Sequence, residues 1–261
     1  MNPNRRLTQA ILAVCPWLLY TTGFALHIWA RGKADNIGPA AVSPAGIEGW
    51  TFHGIPALWL QDWTPDVAPI RWLAVALHAS WFYGPIVLGL FVQFRCGTKA
   101  LAQLIVLDLL LLLTCDVLFT VTPTRPPWQD VELTRLVDVA YGSAGSIDSN
   151  PVAAFPSLHV AIPALLTLWF ARAPDTLLRR LVPALAFWTA GVAWSVVYGG
   201  EHYMVDAIAG TVWAVCVYIV YSMLRSLANK RSVQASWRAT RPPQQRQPLP
   251  AELEYDDTRA A

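Results

Sequence analysis

The stretch Leu104-Ile-Val-Leu-Asp-Leu-Leu-Leu-Leu-Leu-Thr-Cys-Asp-Val-Leu-Phe-Thr-Val121 decides the fold class of this chain. It is an apolar run whose only charged residues are Asp108 and Asp116. A run of about eighteen or more residues with few charges predicts a helix that crosses a bilayer. Because a carboxylate facing lipid is costly, both aspartates are expected to face other helices. They either hydrogen-bond neighbouring helices or help to hold a polar head group.

Similar apolar runs recur along the chain, so the predicted fold is an all-α integral membrane protein with a six-transmembrane-helix bundle. Of the 261 residues, 55% are hydrophobic and 14% are charged, whereas soluble domains average about 25% charged residues. The predicted spans are 7–30, 69–94, 98–121, 156–172, 178–198 and 204–225. The predicted membrane domain therefore covers residues 1–228.

The distribution of Lys and Arg predicts the orientation of these spans. Fourteen of the nineteen positive residues fall on the side that holds both termini, and five fall on the other side. Since positive residues are enriched in cytoplasmic loops, both termini are predicted to be cytoplasmic. The loops 31–68, 122–155 and 199–203 then lie outside the cytoplasm. The expected location is a bacterial plasma membrane.

Two segments outside the spans have a predicted character of their own. Residues 54–63 in the first outer loop are expected to form a short helix at the membrane interface, because tryptophan favours that depth. This helix is either an anchor or a lid over a lipid site. Residues 229–261 are polar and rich in proline, so they are predicted to form a disordered cytoplasmic tail that touches anionic lipids.

His202 and Asp206 are the most informative polar pair in the sequence. They lie in Tyr198-Gly-Gly-Glu-His-Tyr-Met-Val-Asp206, where a loop runs into the last span. Four residues make about one helical turn, so the carboxylate can hold one ring nitrogen as a donor and leave the other as a nucleophile. A hydrogen bond that only joins helices is the alternative. No cluster of residues has metal-ligand spacing, so neither a metal nor another cofactor is expected.

His159 lies in Phe155-Pro-Ser-Leu-His-Val-Ala161, at the start of the fourth span and on the same predicted side as His202. The first N–H groups of a helix form a natural phosphate site, and the Ser157 hydroxyl could add a donor. His159 is therefore the candidate that protonates a departing oxygen and later deprotonates an acceptor. A capping or interface histidine is the alternative.

Arg125 and Trp128 lie in the second outer loop, in Thr122-Pro-Thr-Arg-Pro-Pro-Trp128. A guanidinium can clamp phosphate oxygens with two hydrogen bonds, so Arg125 is the candidate phosphate ligand, and an ordinary interface arginine is the alternative. Trp128 either lines a lipid or sugar pocket or belongs to the aromatic belt at the interface. The other histidines of the chain are expected to be structural: His27, His53 and His78.

These motifs resemble the type-2 phosphatidic-acid phosphatase superfamily, which reads Lys-x6-Arg-Pro, Pro-Ser-Gly-His and Ser-Arg-x5-His-x3-Asp. The resemblance covers about residues 69–222. It implies that His202 is the nucleophile, that Asp206 orients it, that His159 is the acid and base, and that Arg125 binds phosphate. The matching residues are Arg125-Pro126, Pro156-Ser157-Leu158-His159, and Ser195 with His202 and Asp206.

This sequence departs from the superfamily at two cationic positions. The lysine expected before Arg125 is Leu118, and the arginine expected after Ser195 is Val196. Phosphate charge must therefore be balanced in another way, by backbone N–H groups and Arg125.

The motifs Pro-Pro-Trp, Phe-Pro-Ser-Leu-His-Val-Ala and Gly-Glu-His-Tyr-x-x-Asp also look like the inositol phosphotransferase branch, typified by inositol phosphorylceramide synthase. That resemblance implies transfer of phosphoinositol from phosphatidylinositol to a lipid alcohol.

The function expected from the sequence is that of a metal-independent lipid phosphotransferase with a histidine nucleophile. It would move a phosphate-containing head group, such as phosphoinositol, through a phosphohistidine on the extracytoplasmic side. The expected partners are a membrane lipid phosphoester and a lipid, sugar or water acceptor; no nucleic acid is expected, and the oligomeric state stays open. One alternative is a lipid phosphate or polyprenyl pyrophosphate phosphatase of the same superfamily. The other is a catalytically inactive lipid-binding membrane protein.

Overall fold

The computed structural model describes residues 3–141 and 151–240 of the chain. These residues form helices and their connections, with no β-strand beyond isolated bridges in the described part. The predicted all-helical class is therefore confirmed. The helices are α1 (Pro3–Ile37), α2 (Ala45–Phe52), α3 (Pro56–Trp63), α4 (Ala68–Val121), α5 (Pro127–Asp130), α6 (Leu136–Tyr141), α7 (Leu158–Ala171), α8 (Thr176–Arg180), α9 (Val182–Tyr198) and α10 (Met204–Thr240).

α4 consists of two helical arms joined at Gly97. This residue has φ 77° and ψ 176°, a backbone conformation that is open essentially to glycine alone. Pro85 from the first arm and Asp108 from the second line the same small cavity. The second arm therefore folds back along the first. The two arms contain the predicted segments 69–94 and 98–121.

Three helical stretches in the described residues are long and apolar enough to cross a membrane: Ile11–Ala34, Ala68–Val121 and Met204–Ser232. These stretches make the chain an integral membrane protein. The apolar helices α7 and α9 have 14 and 17 residues. At 1.5 Å per residue they are about 21 and 26 Å long, which is less than a hydrocarbon core of about 30 Å. The structure therefore supports a helical membrane bundle, and the count of six spans stays a prediction.

The predicted segment 178–198 is divided between two helices. Asp175 caps the short helix α8 by accepting two backbone hydrogen bonds of 2.8 and 3.1 Å. α9 then begins at Val182, with Pro183 in its first turn. Proline suits that position because the N–H it lacks would have no partner within the helix. The long helix of this segment therefore starts later than the sequence analysis predicted.

The last helix, α10, continues beyond residue 229, where the predicted tail begins. α10 continues to Thr240, since residues 229–240 contain neither proline nor glycine and Pro242 is the first helix-breaking residue beyond them. Helix α10 thus extends into the segment that was predicted as a tail, and the division of the chain at residue 228 stays a prediction. The rest of the predicted tail, residues 241–261, lies outside the described residues.

The predicted helix in the first outer loop is present as α3, and α2 precedes it without having been predicted. The amide of Gln61 donates hydrogen bonds to the main-chain oxygens of Thr134 and Tyr198, at 2.7 and 2.8 Å. These bonds fasten α3 over the end of α9. Trp50 and Trp63 stay largely exposed on this loop, and their location at a membrane interface remains a prediction.

α7 lies at the centre of the bundle, where it packs against α4, α9 and α10. α10 passes very close to the start of α7 at Gly210, because a side-chain carbon at this position would clash with the main-chain oxygen of Ser157. At the same crossing, the N–H of Ser157 donates to the main-chain oxygen of Asp206 at 3.0 Å. The crossing brings the first turns of α7 and α10 together.

Gly97→Ala tests the backbone bend of α4. A carbon added to Gly97 meets no atom within 4 Å, so the substitution adds backbone strain without a steric clash. We expect the free energy of unfolding to fall by about 1–3 kcal/mol, measured by reversible denaturation in detergent micelles. Gly46→Ala in α2 is the matched control, since it also borders open space but has no positive φ. Equal stability of the two variants would contradict the bend.

Candidate active site

Three predicted site residues converge where the first turns of α7 and α10 meet. Nδ1 of His159 lies 2.8 Å from Nε2 of His202, although the two residues are 43 positions apart in the sequence. Their rings meet edge to face, with centroids 5.0 Å apart. On the other side of His202, Nδ1 faces Oδ2 of Asp206 at 3.8 Å. The two imidazoles and the carboxylate therefore form one cluster at one end of the bundle.

Asp206 is fully buried in the first turn of α10. Its Oδ2 accepts the N–H of Tyr203 at 2.8 Å. The distance of 3.8 Å to His202 is beyond hydrogen-bond range. Neither Nδ1 of His202 nor Oδ1 of Asp206 has a hydrogen-bond partner within the described part of the chain. The predicted pair is thus a close approach of a ring nitrogen and a carboxylate, without a formed bond between them.

His78 of α4 joins this cluster, although the sequence analysis expected it to be structural. Its Nε2 lies 3.0 Å from Nε2 of His159. Both ring nitrogens of His159 therefore face another imidazole. The signal that could have found His78 is the one applied to Asp108 and Asp116, because an ionisable side chain in an apolar membrane segment is costly and usually functional.

The cluster lies below the rim of the bundle. His78 is ten residues into α4, which corresponds to about 15 Å along the helix axis. His202 is 4% exposed, and Ser157 and Asp206 are not exposed at all. α7 begins at this depth, which places the N–H groups of its first turn beside the histidines.

Glu48 of α2 is a second residue that the sequence analysis missed. It is fully buried, and its two carboxylate oxygens accept the N–H groups of Met204 and Val205 at 2.9 and 3.0 Å. These N–H groups belong to the first turn of α10, where no partner exists within the helix. Burial raises the pKa of the Glu48 carboxyl, and the two backbone hydrogen bonds oppose that shift. A negative charge at this end also interacts favourably with the helix dipole.

The other predicted binding residues, Ser157, Arg125 and Trp128, have different surroundings. Ser157 is buried, and its hydroxyl has no hydrogen-bond partner among the residues that the structure describes. Arg125 forms an ion pair with Asp130, in which Nε and Oδ1 are 2.8 Å apart but lack hydrogen-bond geometry. Trp128 packs against Arg135, whose guanidinium carbon lies 4.3 Å from the ring centroid. The described contacts of Arg125 and Trp128 do not include the imidazoles.

Two cations are associated with the site: Arg125, which matches the superfamily motif, and Arg31, which no superfamily motif contains. Arg125 is linked to the loop before α10, because its partner Asp130 accepts a hydrogen bond of 3.2 Å from the Tyr203 hydroxyl. Arg31, near the end of α1, is close enough for its charge to act on His159. Val196 is fully buried in α9, so the position of the second missing cation is part of the apolar core.

The polar residues of the third predicted span have different surroundings. Oδ1 of Asp116 lies 2.7 Å from Nδ1 of His27, which joins α4 to α1. Asp108 is buried beside the small cavity that Tyr20 also lines, and neither of its oxygens has a hydrogen-bond partner within the described residues. Among all the residues that the structure describes, no group of three or more His, Cys, Asp or Glu side chains could hold a metal ion.

Comparison with known protein families gives a match. The profile of the PAP2 superfamily matches residues 48–220, which is about two thirds of the chain. The matched interval begins at Glu48 and contains the whole histidine cluster, whereas Arg31 precedes it. Neither the curated proteins nor the solved structures gave a match.

Glu48→Ala tests how far the start of α10 depends on α2. The substitution leaves the N–H groups of Met204 and Val205 without their buried partner, so we expect the free energy of unfolding to fall by about 1–3 kcal/mol. The measurement is again denaturation in detergent micelles. Glu132→Ala removes an exposed carboxylate and should change stability by less than about 0.5 kcal/mol. A Glu48→Ala variant as stable as this control would show that the cap is dispensable.

Proposed function

The chain belongs to the PAP2 superfamily of lipid phosphatases and phosphotransferases, and on that premise we propose that it transfers a phosphate-containing lipid head group through a phosphohistidine at His202. The observation that carries the proposal is the 2.8 Å contact between His159 and His202, with Asp206 on the far side of the His202 ring. Two imidazoles at this distance can serve one phosphorus atom as acid and as nucleophile.

The first chemical step is proposed to form a bond between Nε2 of His202 and phosphorus. The bond from phosphorus to the lipid oxygen breaks at the same time, and Nδ1–H of His159 gives its proton to that oxygen. Asp206 stabilises the positive charge that develops on the His202 ring, because its carboxylate faces the Nδ1–H at 3.8 Å. The phosphoryl group has to enter between the two imidazoles, so their present contact opens on binding.

The second step returns the enzyme to its starting state. An acceptor hydroxyl gives its proton to Nδ1 of His159, and its oxygen attacks the phosphorus atom. The bond between phosphorus and Nε2 breaks, and the electron pair returns to His202. Protons and charges balance over the two steps without a metal ion.

The burial of the site supports transfer over hydrolysis. His202, Asp206 and Ser157 are almost inaccessible to solvent, and a site that excludes water protects a reactive intermediate from hydrolysis. A lipid alcohol entering from the membrane then has an advantage over water. The motifs that resemble the inositol phosphotransferase branch agree with this choice and make phosphatidylinositol the first donor to test.

Phosphate charge is proposed to be balanced by the start of α7 and by the two arginines near the site. The first N–H groups of α7 bind phosphate oxygens, and the Ser157 hydroxyl makes no cap bond to its own helix. Arg125 and Arg31 add positive charge from the surrounding loop and from α1. We also propose that this end of the bundle faces away from the cytoplasm, which the distribution of Lys and Arg supports.

His202→Gln and His159→Gln test the two chemical roles. With a lipid phosphoester labelled in the phosphate, His202→Gln should form no acid-labile phosphoenzyme and show no turnover. His159→Gln should slow turnover by about 10²–10⁴-fold, since general acid catalysis contributes that much. Phosphoenzyme is measured by rapid quenching at alkaline pH, where phosphohistidine survives.

His27→Gln is the matched control for these variants. His27 is also a buried histidine in a helix paired with an aspartate, but it lies outside the cluster. It should retain the phosphoenzyme. Full turnover by His202→Gln would eliminate the proposed nucleophile, and binding of lipid without turnover by the wild type would favour the inactive lipid-binding alternative.

The choice of acceptor is tested by product analysis with the purified wild-type protein. We expect added lipid alcohol to capture the head-group phosphate in preference to water, with no change when EDTA is present. The products are separated by chromatography after incubation with phosphatidylinositol, phosphatidate or a polyprenyl pyrophosphate. Release of inorganic phosphate from the last two substrates, unaffected by the alcohol, would instead establish a phosphatase.

A further inference from the structure

The histidine cluster contains one imidazole more than the proposed reaction uses, and we propose that this residue, His78, relays protons to and from His159. The inference rests on the function proposed above. Three imidazoles lie in a row, with 3.0 Å between Nε2 of His78 and Nε2 of His159, and 2.8 Å between Nδ1 of His159 and Nε2 of His202. His159 is thus the middle member of the row.

The carboxylate of Asp206 sets the direction of the hydrogen bonds along this row. A neutral imidazole donates at one ring nitrogen and accepts at the other. Asp206 favours the tautomer of His202 with its proton on Nδ1, because that nitrogen faces the carboxylate. Nε2 of His202 then accepts from Nδ1–H of His159. It follows that Nε2 of His159 accepts, and its donor is Nε2–H of His78.

With this order of hydrogen bonds, His78 can supply a proton to Nε2 of His159 during the first step. As Nδ1 of His159 gives its proton to the departing oxygen, Nε2 of His159 takes the proton from Nε2 of His78. His78 starts with a proton on each nitrogen, so both histidines are neutral when the lipid alcohol leaves. The negative charge of the bound phosphoester favours that additional proton on the row of imidazoles.

The second step reverses the transfer. The proton of the acceptor hydroxyl enters at Nδ1 of His159, and the proton on Nε2 of His159 returns to Nε2 of His78. No proton is gained or lost over the cycle. His159 stays neutral at both stages of the reaction, and His78 acts only through His159 without touching the reacting atoms.

Packing around His78 holds the row in place. Trp81, on the next turn of α4, meets the His159 ring edge to face at a centroid distance of 4.8 Å. Trp188 of α9 donates to the Ser80 hydroxyl at 2.7 Å, which fixes this part of α4 against the neighbouring helix. The two nitrogens that exchange the proton are thereby kept close together.

The test compares two phosphoesters that share a head group but differ in the leaving oxygen. An alkyl ester needs a proton on its leaving oxygen, whereas a p-nitrophenyl ester leaves as a stable phenolate without one. His78→Gln keeps an N–H group near the position of Nε2, but an amide does not pass protons. We expect it to lower the rate of phosphoenzyme formation from the alkyl ester by about 10²-fold and that from the p-nitrophenyl ester by less than about threefold.

Two further variants separate a relay from a structural role. His159→Gln should show the same contrast between esters, and the double variant with His78→Gln should be no slower than His159→Gln alone, because the two residues act in one chain of transfer. His27→Gln should change both esters by the same factor. If His78→Gln slows both esters equally, or slows neither, the relay is wrong.

A measurement on the wild type covers the case in which His78→Gln does not fold. The rate of phosphoenzyme formation is followed in mixtures of light and heavy water. If two protons move in the same step, the rate of phosphoenzyme formation from the alkyl ester depends on the deuterium fraction along a curve. A linear dependence of this rate overturns the relay. Failure of the proposed function looks different, since the wild type would then turn over neither ester or His202→Gln would turn over both.

Discussion

The close crossing of α7 and α10 is the constraint on which the site depends. Gly210 allows the main chain of α10 to lie directly against the main chain of Ser157, since any larger side chain would collide with its carbonyl oxygen. The hydrogen bond from Ser157 N–H to the main-chain oxygen of Asp206 fixes the register of the two helices. With that register, His159, the second residue of α7, contacts His202 in the loop before α10.

Buried polar groups elsewhere in the bundle join one helix to another. His27 pairs with Asp116 between α1 and α4, and Trp213 of α10 donates to Thr114 at 3.0 Å. Such pairs satisfy the hydrogen bonds of polar atoms that have no access to water. They also determine which faces of neighbouring helices pack against each other. Asp108 is an exception outside the site within the described residues, because both of its oxygens lack a hydrogen-bond partner.

The start of α10 shows how the loop helices serve the site. Glu48 comes from α2, which lies in a loop rather than in the bundle, and yet its carboxylate occupies the N-terminus of the helix that carries Asp206. That leaves the N-terminus of α7 as the phosphate-binding end in the proposed reaction. The division has a physical basis, since a carboxylate and a phosphate compete for the same kind of N–H cradle and the same positive end of a helix dipole.

The sequence by itself determined the helical membrane class and the turn between the arms of α4, and it singled out His159, His202 and Asp206 as candidates, because apolar runs and short motifs are local patterns. Tertiary structure alone decided that His78 and Glu48 join them. His78 lies 81 positions before His159, and Glu48 lies 156 positions before Met204. No spacing in the chain encodes either contact. They exist only because the packing of α4 and α2 places an imidazole and a carboxylate where α7 and α10 have polar groups to satisfy.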